Sequence, residues 1–352
     1  MTGNILEQDL DHILDHTRDL WGEVRGNRIF ISGGTGFFGC WLLESFAWAN
    51  ERLGLHASAV VLTRNPAAFE RRVPHLAMHP AIRLHCGDIR NFDFPDGKFR
   101  FLIHAATETS VRIARDTPLE MLDTIVQGTR RTLDFARHCE AAKLLLTSSG
   151  AVYGTPPPHI THLREDFPGA PDPADPRSVY GEGKRLAELL CSLYAGQFGM
   201  ECKIARCFAA AGPYLPTDVH FAFGSFIRDV MGEGPIRVSG DGTPLRSYLY
   251  AADLAIWLWT ILFRGQSGRP YNVGSERAVS ISELAHEVAK ALNPGVKVEV
   301  AGAPDAGFAS QRYVPSTEAA RTALGLREFV ELKDAIIRTS NWRKNTAKSG
   351  GI

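Results

Sequence analysis

Tyr180 and Lys184 stand four positions apart in Tyr180-Gly-Glu-Gly-Lys184. On a helix, residues at i and i+4 share a face, so this spacing aims a phenol and an ammonium into one pocket. A phenol with an ordinary pKa of about 10 is a poor base at neutral pH. A neighbouring positive charge favours the phenolate and lowers that pKa, which makes the tyrosine a candidate proton carrier. The pattern is cheap on its own and takes its weight from what lies upstream. There, Leu144-Leu-Leu-Thr147-Ser148-Ser149-Gly150-Ala151 reads as a buried strand ending in hydroxyls. Ser149 at such a strand end can hydrogen-bond the oxygen that yields its proton to the tyrosine. The plainer alternative is a serine-rich strand end that closes a turn.

A second group of residues binds rather than reacts. Ile29-Phe-Ile-Ser-Gly33-Gly-Thr35-Gly36-Phe37-Phe38-Gly39 takes a strand through closely spaced glycines into a helix. That context is the one a dinucleotide site requires: glycine allows a tight turn and close backbone approach, and the helix turns its positive end to a pyrophosphate. An oxidised nicotinamide held there adds a second positive charge that favours the tyrosine's phenolate. Where the second strand ends, Val60-Val-Leu-Thr63-Arg64-Asn65 has no acidic residue to bond the ribose 2′-hydroxyl and select NAD. Arg64 could instead pair with a 2′-phosphate, so NADP is favoured over NAD. As a surface charge in a β–α turn, Arg64 would say nothing about the coenzyme.

The elements that must position these groups alternate along the chain. Residues 4–22 carry Leu6, Leu10, Ile13, Leu14, Leu20 and Trp21 on one face and predict an amphipathic helix before the first strand. Apolar strands are predicted at Arg28–Ser32, Ala59–Thr63, Ile82–Cys86, Phe101–His104, Lys143–Thr147 and Cys202–Arg206. Helical stretches fall at Cys40–Asn50, Leu119–Cys139 and Tyr180–Phe198. Such alternation predicts an α/β fold, a Rossmann-like doubly wound parallel sheet with helices on both faces. The expected organisation is an N-terminal helix (1–26), a dinucleotide-binding domain (27–212), a smaller interleaved substrate lobe (213–342) with segments returning to the sheet, and a frayed polar tail (343–352). The Pro-rich run 155–176 and the segment 214–224 read as loops that shape the pocket.

Composition narrows the function classes. The 352 residues carry 39 Lys+Arg against 39 Asp+Glu, so no nucleic acid or anionic membrane is expected as partner. Apolar residues make up 44% of the chain, but the longest apolar stretch, near Ala255–Phe263, is far short of a membrane span of about 20 residues. The acidic start lacks a signal-peptide pattern. Six scattered cysteines without a CxxC pair read as the reduced thiols of a cytoplasmic protein. His12 and His16 sit at metal-holding spacing beside Asp11 and Asp15, yet with no third ligand they read as two solvated histidines and no metal is expected.

With these motifs in hand, the chain resembles the extended short-chain dehydrogenases/reductases of the nucleotide-sugar epimerase/dehydratase family, from about Asn27 to Asn341. The resemblance rests on the glycine motif at 33–39, Gly87-Asp88-Ile89, His104-Ala105-Ala106, Ser149 with Val152-Tyr153-Gly154, and Tyr180 with Lys184. It continues through Arg206-Cys-Phe208, Gly212-Pro213, Arg246-Ser-Tyr-Leu-Tyr250-Ala-Ala-Asp253 and Tyr271-Asn-Val-Gly274. The resemblance implies that Gly33, Thr35, Gly36, Phe37, Phe38 and Gly39 hold the pyrophosphate. It implies that Asp88 and Ile89 meet the adenine and that Ala105 and Ala106 line the coenzyme cleft. Ser149, Tyr180 and Lys184 become the catalytic residues, with Lys184 also touching the nicotinamide ribose. Arg246 and Arg312 fall where the family holds the diphosphate of a nucleotide-diphosphate sugar. A homodimer paired through two helices from each copy is likewise implied.

Departures from the family pattern bear on the reaction. Dehydratases of the family carry an Asp-Glu pair directly after the catalytic hydroxyl, and decarboxylases a glutamate at the second position; here these are Gly150 and Ala151. The missing carboxyl groups disfavour both reactions. C4 epimerisation through a 4-keto intermediate and NADPH reduction of a 4-keto sugar remain, with a non-catalytic NAD(P)-binding sensor as an alternative of another class. The family's frequent asparagines are replaced by Ala209, after Arg-x-Phe, and by Ile125, before Gly128-Thr129.

Overall fold

Ile29, Phe30, Ile31 and Ser32 of β1 (Arg28–Ser32) are all buried, as a strand covered on both faces requires. The computed structural model describes residues 6–107, 111–217, 221–302 and 311–348. β1 pairs with β2 (Ser58–Thr63) on one side and β4 (Phe101–His104) on the other. β3 (Ile82–Cys86) lies outside β2, while β5 (Lys143–Ser149), β6 (Glu201–Cys207) and β11 (Pro270–Val273) extend the sheet beyond β4. The seven-stranded order is β11-β6-β5-β4-β1-β2-β3 and every pairing is parallel. The sheet is therefore Rossmann-like and doubly wound. Its order reverses between β1 and β4, which opens a crevice at their carboxyl ends.

Alternation along β1 divides the core. Ile29 and Ile31 pack with Trp41 and Phe46 of α2 (Phe37–Leu53). Phe30 faces the other way, toward Leu133 and Phe135 of α6 (Pro118–His138). Between them in the chain run α3 (Pro66–Arg72), α4 (Pro74–Ala77) and α5 (Val111–Asp116). α7 (Val179–Phe198) lies beside α6, and α9 (Ala251–Arg264) lies on the α2 face with Trp257 and Trp259 fully enclosed. Burying each such ring contributes about 2–3 kcal/mol relative to exposure.

The chain after Pro213 builds smaller units around α8 (Ala222–Met231), α10 (Ile281–Leu292), α11 (Glu318–Leu324) and α12 (Leu332–Lys348). β7 (Ala210–Ala211) pairs with β10 (Leu249–Tyr250), and β8 (Ile236–Val238) with β13 (Val298–Val300). β9 (Leu245–Arg246) sits between β12 (Val279–Ser280) and β14 (Arg312–Tyr313). α10 opens on a full capping box, with Glu283 N–H donating to Ser280 Oγ at 3.0 Å and Ser280 N–H to Glu283 Oε2 at 2.7 Å. The polar run 343–348, expected to fray, continues α12. Trp342 is buried and Arg343 donates to the Leu215 carbonyl at 2.5 Å, so tertiary contacts override local polarity. Residues 349–352 of that tail and 218–220 of the 214–224 segment lie outside the described residues.

The predicted N-terminal helix forms over Glu7–Thr17 (α1), followed by a 3₁₀ turn at Trp21–Val24. Leu6, Leu10, Ile13 and Leu14 are buried, and α1 packs on α2 and α9. Its Asp9 is only 5% exposed and accepts hydrogen bonds from Tyr250 Oη at 2.6 Å and from Arg338. His12 and His16 pack their rings on Phe329, and His12 Nε2 lies 3.5 Å from the buried Asp253 carboxylate. No helix among the described residues is long and apolar enough to cross a membrane.

Candidate active site

At the crevice, Gly33 turns with φ +72°, and a Cβ there would stand 2.4 Å from the backbone of Ala105 and Ala106. A Cβ on Gly39 would stand 2.3 Å from the Gly33 carbonyl oxygen. Only glycine lets the loop after β1, the start of α2 and the end of β4 close on one another. Gly36 caps α2 without a side-chain hydrogen bond, which leaves the amides of Phe37, Phe38 and Gly39 free of capping partners. Free amides at a helix N-terminus suit a pyrophosphate.

A cleft of about 430 Å³ opens beside this loop. Gly33, Thr35, Gly36, Arg64, Asp88, Ile89, Ala105 and Ala106 all line it, so the structure brings together these coenzyme residues singled out in the sequence, while the helix-start residues Phe37, Phe38 and Gly39, and Tyr180 and Lys184, are not part of its lining. Asp88 lines the cleft with its carboxylate already engaged. Its carboxylate is taken in a fork by Arg90, with Nε and Nη2 both at 2.8 Å, and that guanidinium holds its pKa below the ordinary value. Arg72, Thr107 and Met121 line the same cleft and were not singled out by the sequence. The donors present fit a nicotinamide dinucleotide: a backbone cradle for the pyrophosphate and a guanidinium, not a carboxylate, at the end of β2.

The second half of the site lies at the ends of β5 and β6. Ser149 Oγ accepts the Ala151 N–H at 3.2 Å and stands 3.3 Å from Tyr313 Oη, and its hydroxyl is near enough to the Tyr180 phenol to oppose the rise in that group's pKa. One serine thus neighbours two phenols, and Tyr313 is a site residue that the sequence reading missed. No local pattern marks it. It enters through the pairing of β14 with β9, which sets Tyr313 opposite Arg246. The same pairing places Arg246 and Arg312 on neighbouring strands, and neither has a carboxylate partner among the described residues. Arg246 donates to the carbonyls of Leu245 at 2.9 Å and Gln311 at 3.3 Å.

α7 delivers Tyr180 and Lys184 from one face, as their spacing requires. Two helix glycines are the means: a Cβ on Gly181 would lie 2.7 Å from the Ala151 carbonyl, and one on Gly183 would lie 3.2 Å from Ile125. Ile125, where the family often has asparagine, is buried at this helix contact. Lys184 Nζ donates to the Thr147 carbonyl at 2.9 Å and lies 5.8 Å from the centre of the Tyr180 ring. The lowering expected from the Lys184 ammonium is absent, and burial governs the tyrosine. It pushes the Tyr180 phenol up to about 12 and, in the same way, weakens Lys184 to about 8. Among the protein's own groups Tyr180 is an acid with its proton in place.

Two networks hold this arrangement. Glu188, one turn after Lys184, accepts Ser148 Oγ at 2.5 Å and a fork from Arg206, whose guanidinium lies 4.8 Å from the Tyr153 ring centre. Tyr153 Oη in turn donates to Asn272 Oδ1 at 2.7 Å. On the other side His104, fully buried and pushed down to about 3 by burial, stays neutral. Its Nδ1 meets Ser32 Oγ at 2.7 Å and its Nε2 meets Thr129 Oγ1 at 3.1 Å. Thr129 already donates to the Ile125 carbonyl, so Nε2 carries the proton.

Comparison with known proteins agrees with this geometry. A model of the NAD dependent epimerase/dehydratase family matches residues 29–274. UDP-glucuronic acid decarboxylase 6 of Arabidopsis thaliana is 29% identical over 311 residues, 88% of this chain and 86% of that protein. UDP-glucuronic acid decarboxylase 1 of Xenopus tropicalis is 28% identical over 316 residues, 90% of this chain and 72% of that protein. Among solved structures, the epimerase Mth375 of Methanothermobacter thermautotrophicus superposes with a TM-score of 0.79 at 21% identity, covering 96% of this chain and 97% of that one. The UDP-glucose 4-epimerase of Thermotoga maritima superposes with a TM-score of 0.76 at 17% identity, covering 91% and 99%. These likenesses establish the same fold.

Proposed function

The chain belongs to the NAD-dependent epimerase/dehydratase family, and from that premise we propose that it moves a hydride at C4 of a nucleotide-diphosphate sugar. The observation that carries this reading is Ser149 beside Tyr180, with Lys184 Nζ 5.8 Å from the centre of that ring and Gly150 and Ala151 directly after the serine. A bound nicotinamide supplies or takes the hydride. Tyr180 exchanges the proton of the C4 hydroxyl, Ser149 bonds that same oxygen, and Lys184 contributes positive charge beneath the phenol. Arg246 and Arg312 clamp the diphosphate. Gly33, Thr35, Gly36, Phe37, Phe38 and Gly39 take the pyrophosphate of the coenzyme, Ile89 and Asp88 flank its adenine, and Ala105 and Ala106 line its path. Arg64 favours NADP over NAD.

C4 epimerisation and reduction of a 4-keto sugar share this chemistry. Decarboxylation is the second reading, supported by the 28–29% identity to UDP-glucuronic acid decarboxylases. It needs proton handling at C5 and C6, and Gly150 and Ala151 offer no carboxyl group for that. The deciding experiment identifies the nucleotide released when freshly purified protein is denatured, then follows a panel of nucleotide sugars by NMR. Retained NAD with C4 inversion supports the epimerase, and preferential use of NADPH on a 4-keto sugar supports the reductase. Carbon dioxide release from UDP-glucuronic acid overturns both.

Two further properties belong to this reading. Leu186, Leu189 and Leu193 on α7 are 43%, 52% and 55% exposed beside α6, which suits a homodimer joined through these helices. All six cysteines are free, which suits the reducing cytoplasm.

A further inference from the structure

We propose that Glu44, His75 and Tyr214 form a proton-operated latch between the sheet and the smaller lobe, closed when the His75 imidazole carries its proton. Glu44 lies on α2, about two turns after the glycine loop, and is only 3% exposed. Its Oε1 accepts two hydrogen bonds, one from the Tyr214 phenol and one from His75 Nε2 at 2.7 Å. Tyr214 stands where the chain leaves the sheet for the units built after Pro213. Its φ of +70° puts a bulky residue in the left-handed region, a backbone that persists only where its surroundings fix it. α2 supplies that hold twice, through Glu44 and through Trp41 Nε1, which donates to the Pro213 carbonyl at 2.9 Å. On its other side the Tyr214 ring packs on Trp342 of α12, with centres 4.9 Å apart. The latch needs no particular substrate. Because α2 starts at the glycine loop and Tyr214 opens the 214–224 segment, one proton on His75 bears on both halves of the site.

The charge balance gives the direction. The His75 side chain is 56% exposed and so exchanges protons with solvent, which the enclosed Glu44 does not. Neutral or charged, the imidazole can donate from Nε2, so losing its proton removes the counter-charge and leaves a weaker bond. Glu44 raises the His75 pKa above its ordinary 6.5. The contribution of this pair to the folded state is therefore complete below about 6.5 and lost as pH rises through the raised value. α3 and β3, which also pack on α4, carry Glu70, Arg71, Arg72, Arg83, His85 and Cys86, and among the described residues none of these bonds the imidazole. Arg72 donates to the Thr35 carbonyl, and His85 Nε2 meets the Asp93 carbonyl at 2.8 Å. Along α2, Cys40 is pushed up to about 12 by burial and stays a thiol, while Glu51 meets His79 at 3.0 Å. The Tyr214 phenol is pushed up by burial and by Glu44, so it keeps its proton and remains the donor.

The test follows amide hydrogen exchange in the full chain by mass spectrometry, corrected for the intrinsic pH dependence, in peptides covering 212–217. The Leu215 amide, which donates to the Gly212 carbonyl at 3.2 Å, reports the turn that Tyr214 makes. In the wild type, protection there should fall roughly three- to tenfold between about pH 6 and about pH 9, the step from a charge-assisted to a neutral hydrogen bond. Peptides of α10 should not follow it. His75→Lys, charged across this range, should keep the high protection at both ends. His75→Gln, a donor without charge, should show the low value at both. Tyr214→Phe should exchange fast at every pH. Wild-type protection that is independent of pH overturns the latch, and so does a pH dependence that survives in His75→Gln. Tyr214→Phe with wild-type protection overturns it as well, since the phenol would then hold nothing.

Discussion

Ser149 and Tyr313 lie 164 positions apart in the chain, and their hydroxyls meet at 3.3 Å at the carboxyl edge of the sheet. Tyr313 also packs its ring on Phe208 at 4.5 Å between centres, so the phenol is held from behind. With the Ala151 amide donating to Ser149 Oγ, the serine's remaining hydrogen-bonding capacity is left for Tyr313, 3.3 Å away, and for the neighbouring Tyr180 phenol. Removing one phenol should change how the serine is aimed at the other.

Tyr313→Phe is expected to lower kcat by roughly tenfold, the worth of one neutral hydrogen bond of about 1–1.5 kcal/mol, with KM for the nucleotide sugar little altered. Steady-state kinetics separate the two parameters. A rise in KM at constant kcat would mean that Tyr313 binds substrate and does not orient Ser149.

Tyr180→Phe tests the proton carrier. Hydride transfer should fall by about 10²–10⁴, while coenzyme affinity stays within a few-fold, because the ring remains and only the hydroxyl is lost. Stopped-flow absorbance of the nicotinamide reads the first and calorimetry the second. Turnover at a wild-type rate would sink the assignment.

The pH dependence follows from burial. In the direction where Tyr180 gives up its proton, the phenol stays protonated to about 12, so Lys184, weakened to about 8, sets the alkaline limit. kcat/KM should decline above about pH 8, and Lys184→Arg, charged throughout, should move that limb upward. Stability gives an independent check. Between about 8 and the ordinary 10.5 the unfolded chain holds a proton on Lys184 that the folded chain lacks, so this residue's contribution to the unfolding free energy rises with pH there. Tyr180 has the opposite sign between its ordinary 10 and about 12, where the folded chain alone keeps the proton. A kcat/KM profile that climbs smoothly through pH 8 would refute the lysine's role.

Gly36 separates packing from binding. A Cβ there would meet nothing nearer than the Gly33 carbonyl at 3.4 Å, and its backbone is ordinary, so Gly36→Ala should melt close to wild type. If the loop cradles a pyrophosphate, the same methyl should weaken coenzyme at least tenfold. Gly39→Ala, with backbone 2.3 Å away, should destabilise the fold itself by several kcal/mol. Equal coenzyme binding by Gly36→Ala and wild type would remove the loop from the site.

The helix pairing has a direct test. Leu189→Glu with Leu193→Glu places two charges on the exposed apolar stripe of α7; light scattering is expected to show a dimer for the wild type and a monomer for this variant, and a wild-type monomer would overturn the proposed pairing.

Much of this site could be read in one dimension because its motifs are local. Strand, glycine turn and helix start are contiguous from Ile29 to Gly39, and the Tyr180–Lys184 spacing fixes a shared helix face wherever that helix packs. Arg28–Ser32 and Phe101–His104 were legible as strands with their bounds intact, since buried parallel strands carry continuous apolar runs, and so was the edge strand Ile82–Cys86, where apolar and polar residues alternate. Tyr313 and Arg72 were not, because each acquires its meaning from an element far away in the chain. The sign of the Tyr180 shift was also out of reach: spacing reveals the neighbouring ammonium, but the desolvation that sets the phenol is a property of the packed whole. The polar end of α12 looked frayed for the same reason, as its anchor is the Leu215 carbonyl.

The bond between Asp9 and Arg338 spans 329 positions, from the first helix of the chain to the last. On a ribosome adding roughly 5 to 20 residues per second, α1 waits on the order of half a minute for that partner. Until then its buried carboxylate has Tyr250 to meet, while its apolar face can already settle on α2 and α9. The contact of α1 therefore forms in two instalments, an apolar one available once α9 is made and an ionic one that waits for α12.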